Sequence, residues 1–205
     1  MSDRDGKLRE YREKRDFDKT PEPGPAAPAP DGEEEQRPRV FVIQKHDASR
    51  LHYDFRLEVQ GVLKSWAVPK GPSLSPKDKR LAVMTEDHPL AYASFEGSIP
   101  EGEYGGGAVI VWDHGTYRNL KLDDTPPQTM PEALASGHVL VWLEGQKLRG
   151  GFALIHTAGR RPGDEDNWLL IKKSDERAQP GSDIVGERPE SVVTGRVIED
   201  VKGGA

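Results

Sequence analysis

The sequence predicts a mainly β domain, an antiparallel barrel or sandwich with a tail at each end, and three observations predict it. Between Arg39 and Lys173 the chain runs as short stretches rich in Val, Ile, Leu, Phe and Trp, separated by Gly, Pro and Asp, which is the pattern of strands and their turns. No stretch holds a 3.6-residue apolar repeat for more than about ten residues. The 22 Gly and 17 Pro among 205 residues supply many turns, and many short strands joined this way favour a closed or stacked antiparallel sheet.

Residues 1–38 form an N-terminal arm and linker. Leu8–Phe17 mixes charges of both signs with Leu8, Tyr11 and Phe17, which suits a short helix or a docking arm. Six of the 17 prolines fall between Pro21 and Pro38, so that stretch continues neither a helix nor a sheet and reads as an extended linker. Within the domain at 39–173, strands are expected near 40–45, 51–59, 62–68, 81–86, 91–96, 107–113, 138–143, 151–156 and 167–173. One turn of helix is expected at Met130–Ala135, and Leu143–Phe152 reads as a hairpin. After Lys173 the composition turns polar, and 174–205 is expected to be a loosely held, flexible tail.

Composition removes several function classes. With no Cys there is no disulfide scaffold, thiolate metal site or cysteine nucleophile, so a metal would be held by His and carboxylate. The longest apolar runs fall far short of the roughly 20 residues that cross a bilayer. The first 30 residues are charged and contain no apolar h-region, so neither a membrane span nor a secretory signal is expected and the cytoplasm is the expected compartment. A net charge of -6 argues against a protein that coats nucleic acid through bulk positive charge.

The most informative stretch is Gln44–Glu58. From Leu51 to Val59 the alternation is strict: Leu51, Tyr53, Phe55, Leu57 and Val59 share one face, and His52, Asp54, Arg56 and Glu58 share the other. A half-buried strand accounts for the apolar face. The polar face carries imidazole, carboxylate and guanidinium side by side. If Ala48-Ser49-Arg50 makes a turn, His46 reaches the same surface, and His46, His52 and Asp54 become three ligands for Mn²⁺, Zn²⁺ or Fe²⁺. Arg56, one pleat beyond Asp54, would then grip a phosphate oxygen with its planar fork. The alternative is a solvated strand face with ordinary surface charge.

Further along, Lys70 lies between two prolines, Arg80 opens a strand, and Glu86-Asp87-His88-Pro89-Leu90-Ala91-Tyr92 gathers an acid, an imidazole and a phenol in a short turn. Taken alone, Lys70 and Arg80 read as solvent-facing charge. His88 precedes a proline and is therefore held extended. Glu96–Gly107 is rich in glycine but lacks the Gly-Lys-Ser/Thr ending of a phosphate loop, so it reads as a tight strand connection. His114, His138 and His156 have no matched partner and read as structural or surface residues.

At these residues the sequence resembles the 3′-phosphoesterase domain of bacterial DNA ligase D. The resemblance rests on His46–Glu58, Trp66-Ala67-Val68-Pro69-Lys70-Gly71-Pro72, Glu86–Tyr92, and Phe95-Glu96-Gly97 through Tyr104-Gly105, and it extends over roughly residues 8 to 173. It implies a compact antiparallel β-barrel with short flanking helices. It implies also a Mn²⁺-dependent enzyme that removes a 3′-terminal ribonucleoside and then a 3′-phosphate from DNA primer strands, leaving a 3′-OH during end-joining repair. Its expected partners are DNA primer-template 3′ ends, with or without a terminal ribonucleotide, and the ligase, polymerase or end-binding proteins of end joining.

Residue by residue, the resemblance implies that His46, His52 and Asp54 are the metal ligands and that Arg56 and His88 contact the scissile phosphate. Lys70, Arg80, Glu86 and Tyr92 match surrounding functional positions. Arg15, Asp16 and Glu22 match an N-terminal arm that supports activity. Pro189–Arg196 resembles the linker that leads into a ligase domain in the multidomain enzyme.

Two other functions fit parts of the pattern. One is a noncatalytic DNA-end-binding module, which would not need His46, His52 and Asp54 together. The other is a cupin-like non-haem iron oxygenase, which also uses two His and one carboxylate. The surrounding Arg and Lys favour a phosphate-bearing substrate over a small organic acid. Charge distribution agrees: residues 39–173 hold 17 basic and 17 acidic residues, so the whole deficit lies in the tails, and 45–80 holds 8 basic to 4 acidic. A neutral domain with a locally positive site suits gripping one strand end.

Overall fold

Every sheet pairing among the described residues is antiparallel. The computed structural model describes residues 6–24, 38–157 and 163–202, and among them nine strands occur: β1 (Arg39–Asp47), β2 (Leu51–Val59), β3 (Val62–Val68), β4 (Arg80–Pro89), β5 (Gly97–Ile99), β6 (Gly107–Asn119), β7 (His138–Gly145), β8 (Arg149–His156) and β9 (Asn167–Lys172). They run in the order β1-β2-β3-β4-β9-β8-β7-β6, and β1 pairs with β6 to close an eight-stranded barrel. The short β5 adds to β6 beside the ring. The Pro-rich stretch between Pro25 and Arg37 lies outside the described residues, as does Gly203-Gly204.

Alternation decides what the barrel holds. Tyr53, Phe55, Leu57 and Val59 of β2 point inward with Phe41, Ile43, Trp66, Val68, Trp112, Phe152, Trp168 and Leu170. Large rings fill the interior, with Trp66 and Trp168 meeting edge to face at 5.8 Å between centroids. Leu51, expected on the same apolar face, sits at the strand end and is 45% exposed. The opposite, polar face of β2 is not solvated. Asp54, Arg56 and Glu58 are all buried, and an arm of the chain packs on the outside of the barrel nearby.

That arm carries the helix Arg9–Glu13. Five residues are too few for a helix to persist alone, so tertiary burial must hold it. Leu8 and Tyr11 supply the contact by packing on Val42, Val62, Leu63, Tyr92 and Val111. The Tyr11 hydroxyl donates to the Pro23 carbonyl at 2.8 Å, so the arm folds back on itself before the linker begins.

Eight of the nine expected strands are present, and 91–96 is the exception. Leu90–Ser94 forms a 3-10 helix instead, and β5 begins only at Gly97. Pro89 enters at φ -66°, and Ala91 and Ala93 offer no branched surface to a pleat, so the chain turns and buries Tyr92. The expected helix Met130–Ala135 is present. Its start is fixed by a capping box in which Thr129 and Glu132 bond each other's backbone.

The expected hairpin at 143–152 is also present, and a buried carboxylate shapes its turn. Asp113 accepts from the backbone N–H groups of Gln146, Lys147 and Leu148 at 2.9, 3.1 and 2.8 Å. At the start of the same strand, Gly107 has a φ of +141°, and a Cβ there would lie 2.1 Å from the Asp47 carbonyl oxygen. Only glycine lets β6 approach β1 at that point.

The segment after Lys173 differs from the expectation of a loosely held tail. It carries short helices at Ile184–Glu187 and Ile198–Lys202, and Ile184, Ser191, Ile198 and Val201 are buried. Ile198 and Val201 pack on Ala108 and Ile110. The Trp112 indole N–H donates to the Arg188 carbonyl at 2.7 Å, and Ser191, Thr194 and Arg196 converge on the Glu96 carboxylate. A polar composition concealed the few apolar residues that seat this strap.

Candidate active site

The site forms on the outside of the barrel where β1, β2 and β4 are roofed by the arm. The β1–β2 turn places Ala48-Ser49-Arg50 between strands, as expected, and brings His46 directly opposite His52 in the ladder. Asp54 follows His52 by two residues and so projects from the same face. The three side chains offer ligand atoms that all lie within 4.8 Å of one another.

Hydrogen bonds orient both imidazoles. The His46 Nε2 N–H donates to the Gly105 carbonyl at 2.8 Å, and the His52 Nδ1 N–H donates to the Arg50 carbonyl at 2.9 Å. A carbonyl oxygen only accepts, so each ring is committed at that nitrogen and turns its other nitrogen inward. His46 Nδ1 then lies 3.6 Å from Asp54 Oδ2, and His52 Nε2 lies 3.5 Å from Asp54 Oδ1. Two imidazole nitrogens and a carboxylate oxygen converging on one point suit a borderline divalent cation such as Mn²⁺, Zn²⁺ or Fe²⁺. Burial pushes the Asp54 carboxyl up, but Arg56, His46 and His52 outweigh it and hold the group well below the usual carboxylate range. Asp54 is therefore an anion ready to ligate.

Arg56 is fixed on three sides. Its Nε donates to Gln44 Oε1 at 2.9 Å, Nη1 to Ser65 Oγ at 2.7 Å, and Nη2 to Asp54 Oδ2 at 3.1 Å. A guanidinium has five N–H groups, so these bonds leave one on each terminal nitrogen, the fork that matches two phosphate oxygens. Gln44 and Ser65 are the cross-strand partners of Asp54 and Arg56 respectively. Gln44 is held in turn by the carbonyls of Tyr92 and Phe95, which accept from its Nε2 at 3.0 Å each.

Strand β4 supplies the next wall. Its pairing with β3 shifts register between Leu63 and Ser65, and such a bulge lets Thr85, Glu86 and His88 all face the cleft. His88 Nδ1 donates to the Glu86 carbonyl at 2.9 Å, and Nε2 accepts from Arg15 Nη2 at 3.3 Å. Burial and the neighbouring cations Arg56 and Arg15 push His88 well below its ordinary value, so the ring is neutral. Tyr92 stands edge-on to His88 and donates to Glu22 Oε1 at 2.9 Å.

The arm closes the site through Arg15. Its guanidinium lies over the Tyr11 ring, pairs with Glu22 Oε1 at 3.0 Å and with Glu86 Oε1 at 3.3 Å, and reaches His88. Burial pushes Glu86 up, but its own backbone N–H, Arg15 and Lys14 outweigh that and hold it below the usual range. Together these groups line a cleft of about 250 Å³.

Of the twelve site residues expected from the sequence, His46, His52, Asp54, Arg56, Glu86, His88, Tyr92, Arg15 and Glu22 line this cleft. Asp16, Lys70 and Arg80 do not. Asp16 is half-buried and holds the local turn, with Oδ2 2.8 Å from Lys19 Nζ. Lys70 is exposed at the end of β3, and Arg80 donates to Asp78 at 3.2 Å. Sequence reasoning missed Gln44, Ser65, Lys14 and Tyr104. Gln44 carried a signal, since it precedes His46 by two residues on the same strand face. Lys14 and Tyr104 meet only through the fold, with Lys14 Nζ donating to the Tyr104 hydroxyl at 3.2 Å.

Comparison with known proteins adds sequence relatives to this geometry. A family model described as the DNA ligase D 3′-phosphoesterase domain matches residues 44–156. The chain is similar to the multifunctional non-homologous end joining protein LigD of Pseudomonas aeruginosa, 51% identical over 193 residues that cover 93% of this chain and 22% of that protein. It is also similar to the multifunctional non-homologous end joining DNA repair protein LigD of Mycobacterium tuberculosis, 47% identical over 173 residues, 84% of this chain and 20% of that protein. LigD of Mycolicibacterium smegmatis is 44% identical over 171 residues, 83% of this chain and 21% of that protein. The chain spans about a fifth of the length of these relatives.

Proposed function

The chain belongs to the DNA ligase D 3′-phosphoesterase domain family, and from that premise we propose that it is a divalent-metal-dependent phosphoesterase acting on 3′ ends of DNA in end-joining repair. In this reading it removes a 3′-terminal ribonucleoside and then the 3′-phosphate, leaving a 3′-OH, and Mn²⁺ is the working ion. The observation that carries the reading is the pair of imidazoles, each anchored to a carbonyl and turned with Asp54 toward one point in a cleft that Arg56 also lines.

His46, His52 and Asp54 would hold the ion, which when bound supplies Lewis acidity toward a phosphoryl ester. Arg56 receives two phosphate oxygens on its remaining N–H groups and neutralises their charge as the ester bond breaks. Asp54, Gln44 and Ser65 fix that fork, so no reorganisation is needed when substrate arrives. Arg15 brings a second guanidinium from the arm. A dianionic phosphate entering the cleft competes with His88 for the Arg15 N–H. It also supplies the negative charge that makes a proton on His88 Nε2 tolerable. In the phosphatase step a water attacks phosphorus as the bond to the 3′-oxygen breaks; His88, having taken a proton from solvent at Nε2, gives it to the leaving 3′-oxygen, and the attacking water's proton returns to solvent.

Donors for phosphate surround the metal ligands, which supports this reading over an oxygenase. A passive end-binding module would need the arginines alone. The test is incubation of a 5′-labelled primer-template bearing one 3′ ribonucleotide, with and without Mn²⁺. The reading expects two successive products, a 3′-phosphate and then a 3′-OH, only with the ion. Binding without turnover in Mn²⁺ would replace it with the end-binding module.

A further inference from the structure

The volume of the cleft is about 250 Å³, and the groups suited to a phosphate, Arg56, His88 and the His46-His52-Asp54 cluster, share its lining. With the phosphate on those groups, an aromatic side chain on the same lining is the group suited to the base of the nucleotide that carries it. Tyr104 lines the cleft and is 46% exposed, one of the largest apolar exposures among the described residues.

Its ring is held in place and stays partly open to solvent. The hydroxyl donates to Glu86 Oε2 at 3.3 Å and accepts from Lys14 Nζ at 3.2 Å. Lys14 Nζ and Arg15 Cζ lie 4.7 and 5.3 Å from the ring centroid. The next residue, Gly105, gives the carbonyl that orients His46, so Tyr104 adjoins the residue that holds a proposed metal ligand in place. An oriented, half-open aromatic ring flanked by cations is the arrangement on which single-stranded bases stack without regard to sequence.

We propose that Tyr104 is the platform on which that nucleobase stacks, making the site selective for a nucleotide end over a base-free phosphate ester. The proposal rests on the DNA-end reading above. It assigns the ring to binding and leaves the hydroxyl only an orienting part.

The test uses the full chain with EDTA present and a primer-template carrying a 3′-phosphate and 2-aminopurine as its 3′-terminal base. Anisotropy reads binding and 2-aminopurine fluorescence reads stacking. Wild type and Tyr104→Phe should both bind and quench the probe, whereas Tyr104→Leu should lose the quench and bind on the order of ten-fold more weakly. Thermal melting checks that each variant is folded, and Tyr104→Trp, with a larger ring, should quench at least as strongly as wild type. If Tyr104→Leu binds and quenches as wild type does, the platform is wrong. If Tyr104→Phe behaves like Tyr104→Leu, the hydroxyl network matters and the stack does not. A folded wild type that binds no primer, either in EDTA or with Mn²⁺ and a non-hydrolysable 3′-phosphonate end, overturns the DNA-end reading itself and this inference with it.

Discussion

Arg15 Nη2 donates to His88 Nε2 at 3.3 Å, joining the N-terminal arm to the far wall of the cleft across 73 residues of sequence. The contact sets the His88 tautomer, because its Nδ1 N–H is already given to the Glu86 carbonyl. It also makes the arm part of the site. The barrel presents His46, His52, Asp54 and Arg56, and the arm adds the second guanidinium and closes the roof.

Removing that guanidinium should therefore harm the arm and leave the barrel folded. Arg15→Ala would leave Glu22 and Glu86 buried beside each other without their shared cation, since each has a side chain 4% exposed or less. Breaking such a buried pair costs about 3–5 kcal/mol. Hydrogen exchange should show Tyr11–Arg15 losing protection while β2 and β8 keep theirs, and phosphoesterase activity should fall at least 100-fold. Unchanged protection in the arm would show that Arg15 does not hold it.

Acid should undock the same arm. Glu86 sits below the ordinary glutamate value of 4.5 when folded, so its charge contributes stability that is complete above that value and is lost as pH falls through the lowered one. Hydrogen exchange of the arm followed from pH 6 downward should show protection disappearing below about pH 4.5, before the barrel opens. Glu86→Gln should flatten this acid limb, and an unaltered limb in that variant would assign the transition to another group.

Asp113 should matter to stability and not to chemistry. It is fully buried and accepts three backbone N–H groups of the β7–β8 turn, all of which Asp113→Ala leaves without a partner. A loss of roughly 2–4 kcal/mol in denaturant unfolding is expected. A change under 1 kcal/mol would mean that water replaces the carboxylate at no cost.

Lys70 and Arg56 should separate in kind. Lys70 is exposed and outside the cleft, so Lys70→Ala should weaken primer binding less than ten-fold and lower the salt dependence by about one counterion. Arg56→Gln should cut turnover at least 100-fold with a smaller change in binding. Equal loss of turnover in both would return Lys70 to the catalytic set.

The strands and the metal cluster were legible because period-two alternation speaks directly about sheet faces. It placed His52, Asp54 and Arg56 together before any fold was known. It said nothing of register, and register is what brings Gln44 beside Asp54 and Ser65 beside Arg56. Arg15 and Glu22 were reached only through family resemblance, since no local pattern links a charged arm to a strand 70 residues later. The 3-10 turn at Leu90–Ser94 was hidden because its apolar residues resemble a strand and its cause, Pro89 followed by alanines, is a backbone preference. The C-terminal strap was hidden for the opposite reason: its anchors are carbonyls and isolated Ile and Val residues, which carry no period.

The central claim is that His46, His52 and Asp54 hold the ion that makes this cleft a phosphoesterase. His52 is the cleanest probe, because its side chain is 22% exposed and its loss leaves Arg56 paired with Asp54. The measurement is Mn²⁺-dependent release of phosphate from a 3′-phosphorylated DNA primer by purified wild type and His52→Ala, with melting temperatures recorded alongside. Wild type should release phosphate only with the ion, and His52→Ala should fall at least 100-fold while melting as wild type does. Wild-type release by folded His52→Ala, or ion-independent release by wild type, would contradict it.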